Sequence, residues 1–114
     1  MMQIKYIALT VLNSGLMILG QTLWKIGLSK MGGFSLKILL NPLIVSGLFV
    51  YGLSTFLWLY ILSKLPFSTA YPLNSIAYAF SILVGYLVFK ETITAQKIAG
   101  TVLILAGVFF IARG

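Results

Sequence analysis

The stretch ILLNPLIVSGLFVYGLSTFLWLYILS, residues 38–63, carries no charged side chain and is bounded by Lys37 and Lys64. A helix rises about 1.5 Å per residue, so crossing a hydrocarbon core of about 30 Å takes about 20 apolar residues, with roughly 17–25 tolerated. Ile38 to Ser63 meets that length as one helix. Tyr6 to Trp24 and Leu65 to Phe89 are uncharged in the same way. Ile98 to Ala112 is shorter, but Ala95 to Lys97 extend it to about 18 residues because a lysine near a helix end can snorkel to the interface. The pattern predicts an all-α membrane protein, one domain over residues 1–114, with four transmembrane helices at about 4–29, 38–63, 66–89 and 95–112.

Composition agrees. Of the 114 residues 61% are hydrophobic and only 8% charged, against about a quarter charged in a soluble domain. Mean hydropathy is +1.10. Lipid is the only solvent that suits such a surface. Cysteine and histidine are absent, which excludes disulfides, thiolate chemistry and the usual zinc ligands. Glu91 is the one carboxylate side chain, so a single chain cannot build paired-carboxylate catalysis or an acidic metal site. No phosphate-binding glycine loop is present. The expectation is a protein that is not an enzyme and needs no cofactor or metal. The net charge of +7 does not point to nucleic acid, because the eight basic residues stand singly between apolar runs as helix-end charges.

The connections fit this division. Lys30, Gly32 and Gly33 form a turn after the first helix. Asn41-Pro42 falls near the start of the second, where a missing N–H costs little. Lys64-Leu65-Pro66 reads as a tight reversal that makes the second and third helices antiparallel neighbours. Thr94 is placed to cap the fourth. Trp24, Trp58, Tyr60 and Tyr86 fall near span ends, as interfacial aromatics do. The run after Lys5 is too long for a signal-peptide core and lacks a clear small-residue cleavage site, so it reads as a retained helix. Lys25, Lys30, Lys37, Lys90 and Lys97 share one side, against Lys5, Lys64, Arg113 and the terminal amine on the other. This bias sets orientation only weakly and leaves insertion both ways open.

Two helices carry polar faces. Asn13, Met17, Gln21 and Lys25 recur at four-residue steps in the first. An amide or amine facing hydrocarbon is costly, about 2.5–3.5 kcal/mol for a mid-bilayer lysine. Gln21 is therefore expected to face protein or a wet cavity, and Lys25 either does the same or snorkels to the headgroups. In the third helix Ser68, Tyr71, Asn74, Ser75 and Tyr78 form a second polar face, and Pro72 takes away a backbone donor. Either these residues serve helix–helix hydrogen bonding or they complete a substrate-binding surface with the first helix. In the fourth helix Gly100 and Gly107, flanked by Ala99 and Ala106, form a small-residue groove. It suits a dimer interface, with packing inside one chain as the alternative. Glu91 is expected to make a local ion pair with the adjoining Lys90 or to act as a helix-start charge.

Gly20-Gln21-Thr22-Leu23-Trp24-Lys25, Pro66, Ala70-Tyr71-Pro72, Ser75, Glu91 and the Gly100/Gly107 pair resemble the four-helix members of the drug/metabolite transporter superfamily, over nearly the whole chain. The resemblance implies a bundle like that of the small multidrug resistance proteins. Two branches compete. Small multidrug resistance exporters share the Gly-x-x-x-x-Lys end of the first helix, but they rely on a membrane glutamate where this chain has Met17, and they usually carry a tryptophan where it has Asn74. A thioether exchanges no proton and neutralises no cation. The other branch is the EamA-like small subunits similar to the aminoarabinose–undecaprenyl phosphate flippase, matched by Gly20, Gln21, Lys25, Ala70, Tyr71, Pro72 and Ser75.

That resemblance implies a multi-pass protein of the bacterial inner membrane that moves a polyprenyl-phosphate-linked sugar as a homodimer or with a homologous subunit. The expected substrate-binding residues are Asn13, Gln21, Lys25, Tyr71, Asn74, Ser75 and Tyr78. An ammonium, amides and hydroxyls suit phosphate and sugar, whereas a cation carrier needs buried negative charge. The remaining alternatives are an exporter of cationic compounds and an accessory membrane subunit with no pathway of its own.

Overall fold

The computed structural model describes residues 4–114, so the terminal amine invoked for orientation lies outside the described residues. The chain forms α1 (Ile4–Met31), α2 (Pro42–Lys64), α3 (Phe67–Asn74), α4 (Ala77–Leu87) and α5 (Ala95–Arg113), with a 3-10 helix at Leu36–Leu40. Ile4–Met31, Pro42–Lys64, Phe67–Leu87 and Ala95–Arg113 are each long and apolar enough to cross a membrane. The architecture is therefore the all-α, four-span arrangement. Its helix ends have local causes. Gly32 and Gly33 take positive φ, and their N–H groups return to Ser29 and Leu28 carbonyls, which closes α1. The Asn41 side chain accepts from the N–H groups of Leu43 and Ile44 and caps α2, with Pro42 in its first turn. Thr94 caps α5 by accepting from the Lys97 N–H.

Two stretches depart from the expected spans. Helix two starts at Pro42 rather than near residue 38, because Leu36–Leu40 wind as a separate 3-10 turn before the Asn41 cap. The third span is two helices. Pro72 has no N–H for the Ser68 carbonyl, and the chain tightens just beyond it. Ser75 and Ile76 donate to Pro72 and Leu73, and Tyr78 and Ala79 donate to Ser75 and Ile76, all three residues back. Such irregular backbone is tolerated at membrane depth where protein covers it. Here Ser14 covers it, donating to the Asn74 carbonyl at 3.3 Å.

α1 runs through the middle of the molecule, against α2 along much of its length and against α3 and α4, while α5 packs mainly on α3 and α4. Two contacts hold α1 to its neighbours. The first is polar. Asn13 is fully buried and donates to Asn74 Oδ1 at 3.1 Å, while Ser54 donates to Asn13 Oδ1 at 2.8 Å. The buried Ser14 hydroxyl shares its one proton among the Thr10 carbonyl at 3.0 Å, the Asn74 carbonyl and the same Asn74 side-chain oxygen at 3.1 Å, and the Asn74 amide reaches the Met17 sulfur at 3.1 Å. This cluster ties α1, α2 and α3 together. The second contact is close backbone packing of α1 on α2. A Cβ placed on Gly47 would lie 2.6 Å from the Gly20 carbonyl oxygen and 2.6 Å from the Trp24 ring, which also stacks on Tyr51 at 5.1 Å.

α5 differs. Among the described residues none in α5 is buried, and beyond the adjoining turns of its own helix nothing described lies within 4 Å of a Cβ placed on Gly100 or Gly107. Ala99, Ala106 and Gly107 are exposed. The molecule is a slab of 47 × 35 × 18 Å with that small-residue groove left open.

Asn13→Leu keeps the branched shape but strips Asn74 and Ser54 of a partner, and should lower stability by about 1–3 kcal/mol, read as thermal unfolding in detergent. Gly47→Ala must push α1 and α2 apart and should cost about 1–3 kcal/mol in the same assay. Gly52→Ala, on the same helix with 4 Å of open space around it, should be neutral or stabilising by up to about 1 kcal/mol.

Candidate functional site

Two clefts flank α1, besides an open surface depression of about 580 Å³ along Gln21, Trp24, Lys25, Leu28, Ser29, Gly32 and Gly33. The larger of the two, about 290 Å³, lies between α1, α4, the loop after α4 and the start of α5. Its polar lining is Gln21, Thr22 and Lys25 from α1, Ser81 from α4, Glu91 from the loop and Lys97 from α5, with Ile18, Ile82 and Phe89 as apolar wall. The smaller, about 140 Å³, lies between α1, α2 and α3 and is lined by Met17, Tyr51, Ser54, Thr55, Trp58, Tyr71 and Asn74.

The first cleft is organised around an ion pair. Lys25 Nζ lies 2.9 Å from Glu91 Oε2 and 5.0 Å from the Phe89 ring centre. This corrects the expectation that Glu91 pairs with its neighbour Lys90. Lys90 takes the left-handed region at φ 56°, and the Glu91 N–H donates to the Gly85 carbonyl at 2.9 Å. The loop therefore folds back on α4 and carries Glu91 towards α1 while Lys90 diverges. The Lys25 hydrogen bond, and then its charge, hold the Glu91 carboxyl below the ordinary carboxylate range; slight burial opposes this and Lys97 adds to it. With two ammonium groups facing one carboxylate, the cleft keeps an excess of positive charge. Such a surface can take an anionic group on Lys25 and Lys97 while Gln21, Thr22 and Ser81 supply neutral donors and acceptors.

The second cleft is uncharged. Trp58 meets Tyr71 edge-on at 6.2 Å, and Tyr71 is 61% exposed. Hydroxyls of Ser54 and Thr55 and the amide of Asn74 share the wall with the aromatic rings. Aromatic faces with neutral hydrogen-bonding groups suit the mixed surface of a sugar, but Met17 leaves no charge there.

The expected binding residues are thus divided. Gln21 and Lys25 line the larger cleft, Tyr71 and Asn74 the smaller. Asn13, Ser75 and Tyr78 line neither. Asn13 is consumed by the buried cluster, Ser75 donates to the Pro72 carbonyl, and Tyr78 is 58% exposed. The α2 contribution of Tyr51, Ser54, Thr55 and Trp58 was not anticipated from the sequence. Its signal was present, because these residues recur at three- and four-residue steps along an otherwise apolar helix. Glu91, Ser81 and Lys97 had no such signal, since only the fold back of the loop brings them to α1.

The profile of the EamA-like transporter family matches residues 3–113. A protein of Pseudomonas fluorescens named as probable 4-amino-4-deoxy-L-arabinose-phosphoundecaprenol flippase subunit ArnE is 31% identical over 108 residues, which is 92% of this chain and 95% of that protein. A probable flippase subunit ArnF for the same lipid, from Photorhabdus laumondii, is 46% identical over 72 residues, covering 61% of this chain and 57% of that protein. The ArnF of Serratia proteamaculans is 42% identical over 74 residues, again 61% and 57%. The chain thus spans little more than half the length of these two ArnF relatives. No solved structure matches it. With four spans of sufficient length and relatives of this kind, it is a multi-pass protein of the bacterial inner membrane. A match over nearly its whole length shows that the chain belongs to the EamA-like transporter family.

Proposed function

We propose that this protein is a subunit of a flippase that carries a polyprenyl-phosphate-linked sugar across the membrane. The observation that carries the proposal is the half-exposed Lys25 ammonium in a cleft with net positive charge, beside Gln21, Thr22 and Ser81. A phosphodiester headgroup finds a charge-assisted donor there, and its sugar finds neutral partners. The tail of such a lipid can remain in the bilayer while only the headgroup is taken from it. The relatives named as flippase subunits for an undecaprenol-linked sugar support the same chemistry. The aromatic and hydroxyl surface of Tyr71, Trp58 and Thr55 serves as a second contact for the headgroup as it passes α1.

The pathway needs a second subunit, identical or homologous. The slab is 18 Å thick, and the clefts beside α1 are open at its surface. The open groove of Ala99, Gly100, Ala106 and Gly107 supports a helix from a partner as its occupant, since small residues let lipid-facing helices approach closely. Rocking of one subunit against the other then exposes the headgroup clefts alternately to the two sides. A cation exporter is disfavoured, because the one carboxylate in the cleft is already paired and outnumbered by lysines.

In liposomes containing the purified protein and its partner subunit if one co-purifies, Lys25→Ala should slow flipping of such a lipid by about tenfold or more, the loss expected for a charge-assisted hydrogen bond. Gln21→Ala should slow it less, and Lys25→Arg should retain part of the rate. Transport at the unmodified rate in both alanine variants would refute the site assignment.

A further inference from the structure

We propose that Glu91 is a specificity-determining residue for the headgroup, its carboxylate receiving a positively charged amino group on the sugar while Lys25 takes the phosphate. This rests on the flippase reading above and on the amino sugar in the relatives' names; what it adds is the residue that recognises the amine.

Glu91 is the only carboxylate side chain in the 114-residue chain, and several separate features put it in the cleft. Lys90 adopts a left-handed conformation unusual for a residue with a side chain, turning the loop back. The Glu91 N–H is tied to the Gly85 carbonyl. Gly85 leaves the space the carboxylate uses, since a Cβ there would lie 2.5 Å from Oε1. The other oxygen, Oε2, receives Lys25.

Stability does not account for this placement. The side chains of Lys25 and Glu91 are 56% and 42% exposed, and an ion pair that open contributes little to folding. The same exposure leaves both charges within reach of a solute.

Together the two groups complement a zwitterion. A headgroup with a phosphate and an ammonium exchanges the internal pair for two new ones, phosphate on Lys25 and ammonium on Glu91. A neutral-sugar phosphate does worse at close range, although Lys97 balances the total charge: it takes Lys25 away from Glu91 and leaves that carboxylate without a partner in contact. A site rejects an analogue most strongly when the analogue leaves one of its polar groups without a partner. The amine is thus selected as much by penalty against its absence as by attraction. The carboxyl, held below its ordinary range by Lys25, is ionised at neutral pH and able to act in this way.

The test compares two undecaprenyl-phosphate lipids in proteoliposomes, one bearing 4-amino-4-deoxy-arabinose and one bearing arabinose, and reads the ratio of their flipping rates. The unmodified protein should favour the amino sugar by about tenfold. In Glu91→Gln the ratio should fall to about one. Glu91→Asp should keep part of the preference. Gly85→Ala, which retains the charge but displaces it, should also lower the ratio; it serves as the second variant if Glu91→Gln does not fold. An unchanged ratio in the folded variants, or an equal slowing of both lipids, overturns the proposal and leaves Glu91 as a mere prop for Lys25 while the flippase reading stands. Movement of neither lipid by the unmodified protein overturns both.

Discussion

Helices surrounded by lipid gain nothing from hiding leucine against leucine, because the hydrocarbon outside is as apolar as the interface inside. What remains to hold them together is close approach and hydrogen bonding. In this chain both converge on α1. Asn13 gives its two amide ends to α3 and α2, reaching Asn74 and Ser54, and Ser14 secures the same Asn74. Nearly two turns further on, Gly20 and Gly47 bring the backbones of α1 and α2 into contact. The most deeply buried side chains include Asn13, Thr10, Ser14 and Ser54, which inverts the pattern of a soluble protein.

That arrangement explains why the third span breaks where it does. Pro72 weakens the helix, but the chain also needs Asn74 turned towards α1 with its carbonyl accessible to Ser14. The 3-10 turns at Ser75 and Ile76 provide both. The break changes the direction between α3 and α4, and that divides the space beside α1 in two. α3 with α2 bounds the uncharged aromatic cleft, and α4 with α5 bounds the charged one. One proline and one asparagine thereby separate two chemistries along a single helix.

The charged cleft lies where lysines could otherwise simply have turned to the headgroups. Lys25 does not stand alone there; a loop strained at Lys90 supplies its counter-ion, and Gly85 makes room for it. α5 contributes Lys97 to that cleft while its own small-residue face stays open. The fourth helix thus completes the site on one side and offers a surface for a neighbouring helix on the other.

The number of spans, their order and the polar faces of α1 and α3 were legible in the sequence, because the length of an uncharged run and the four-residue recurrence of polar side chains are properties of local chain. The caps at Asn41 and Thr94 were legible for the same reason. Which face did what was not. Asn13 and Lys25 sit on one stripe, yet the first is consumed in packing and the second is left reachable, a distinction set by which helix lies opposite each. Glu91 reads locally as a partner for Lys90, and only the fold back of the loop gives it to a lysine 66 residues away. Local pattern determined what this chain is made of and that it spans a membrane; the three-dimensional packing decided which of its polar groups are spent on holding helices together and which remain free to meet a ligand.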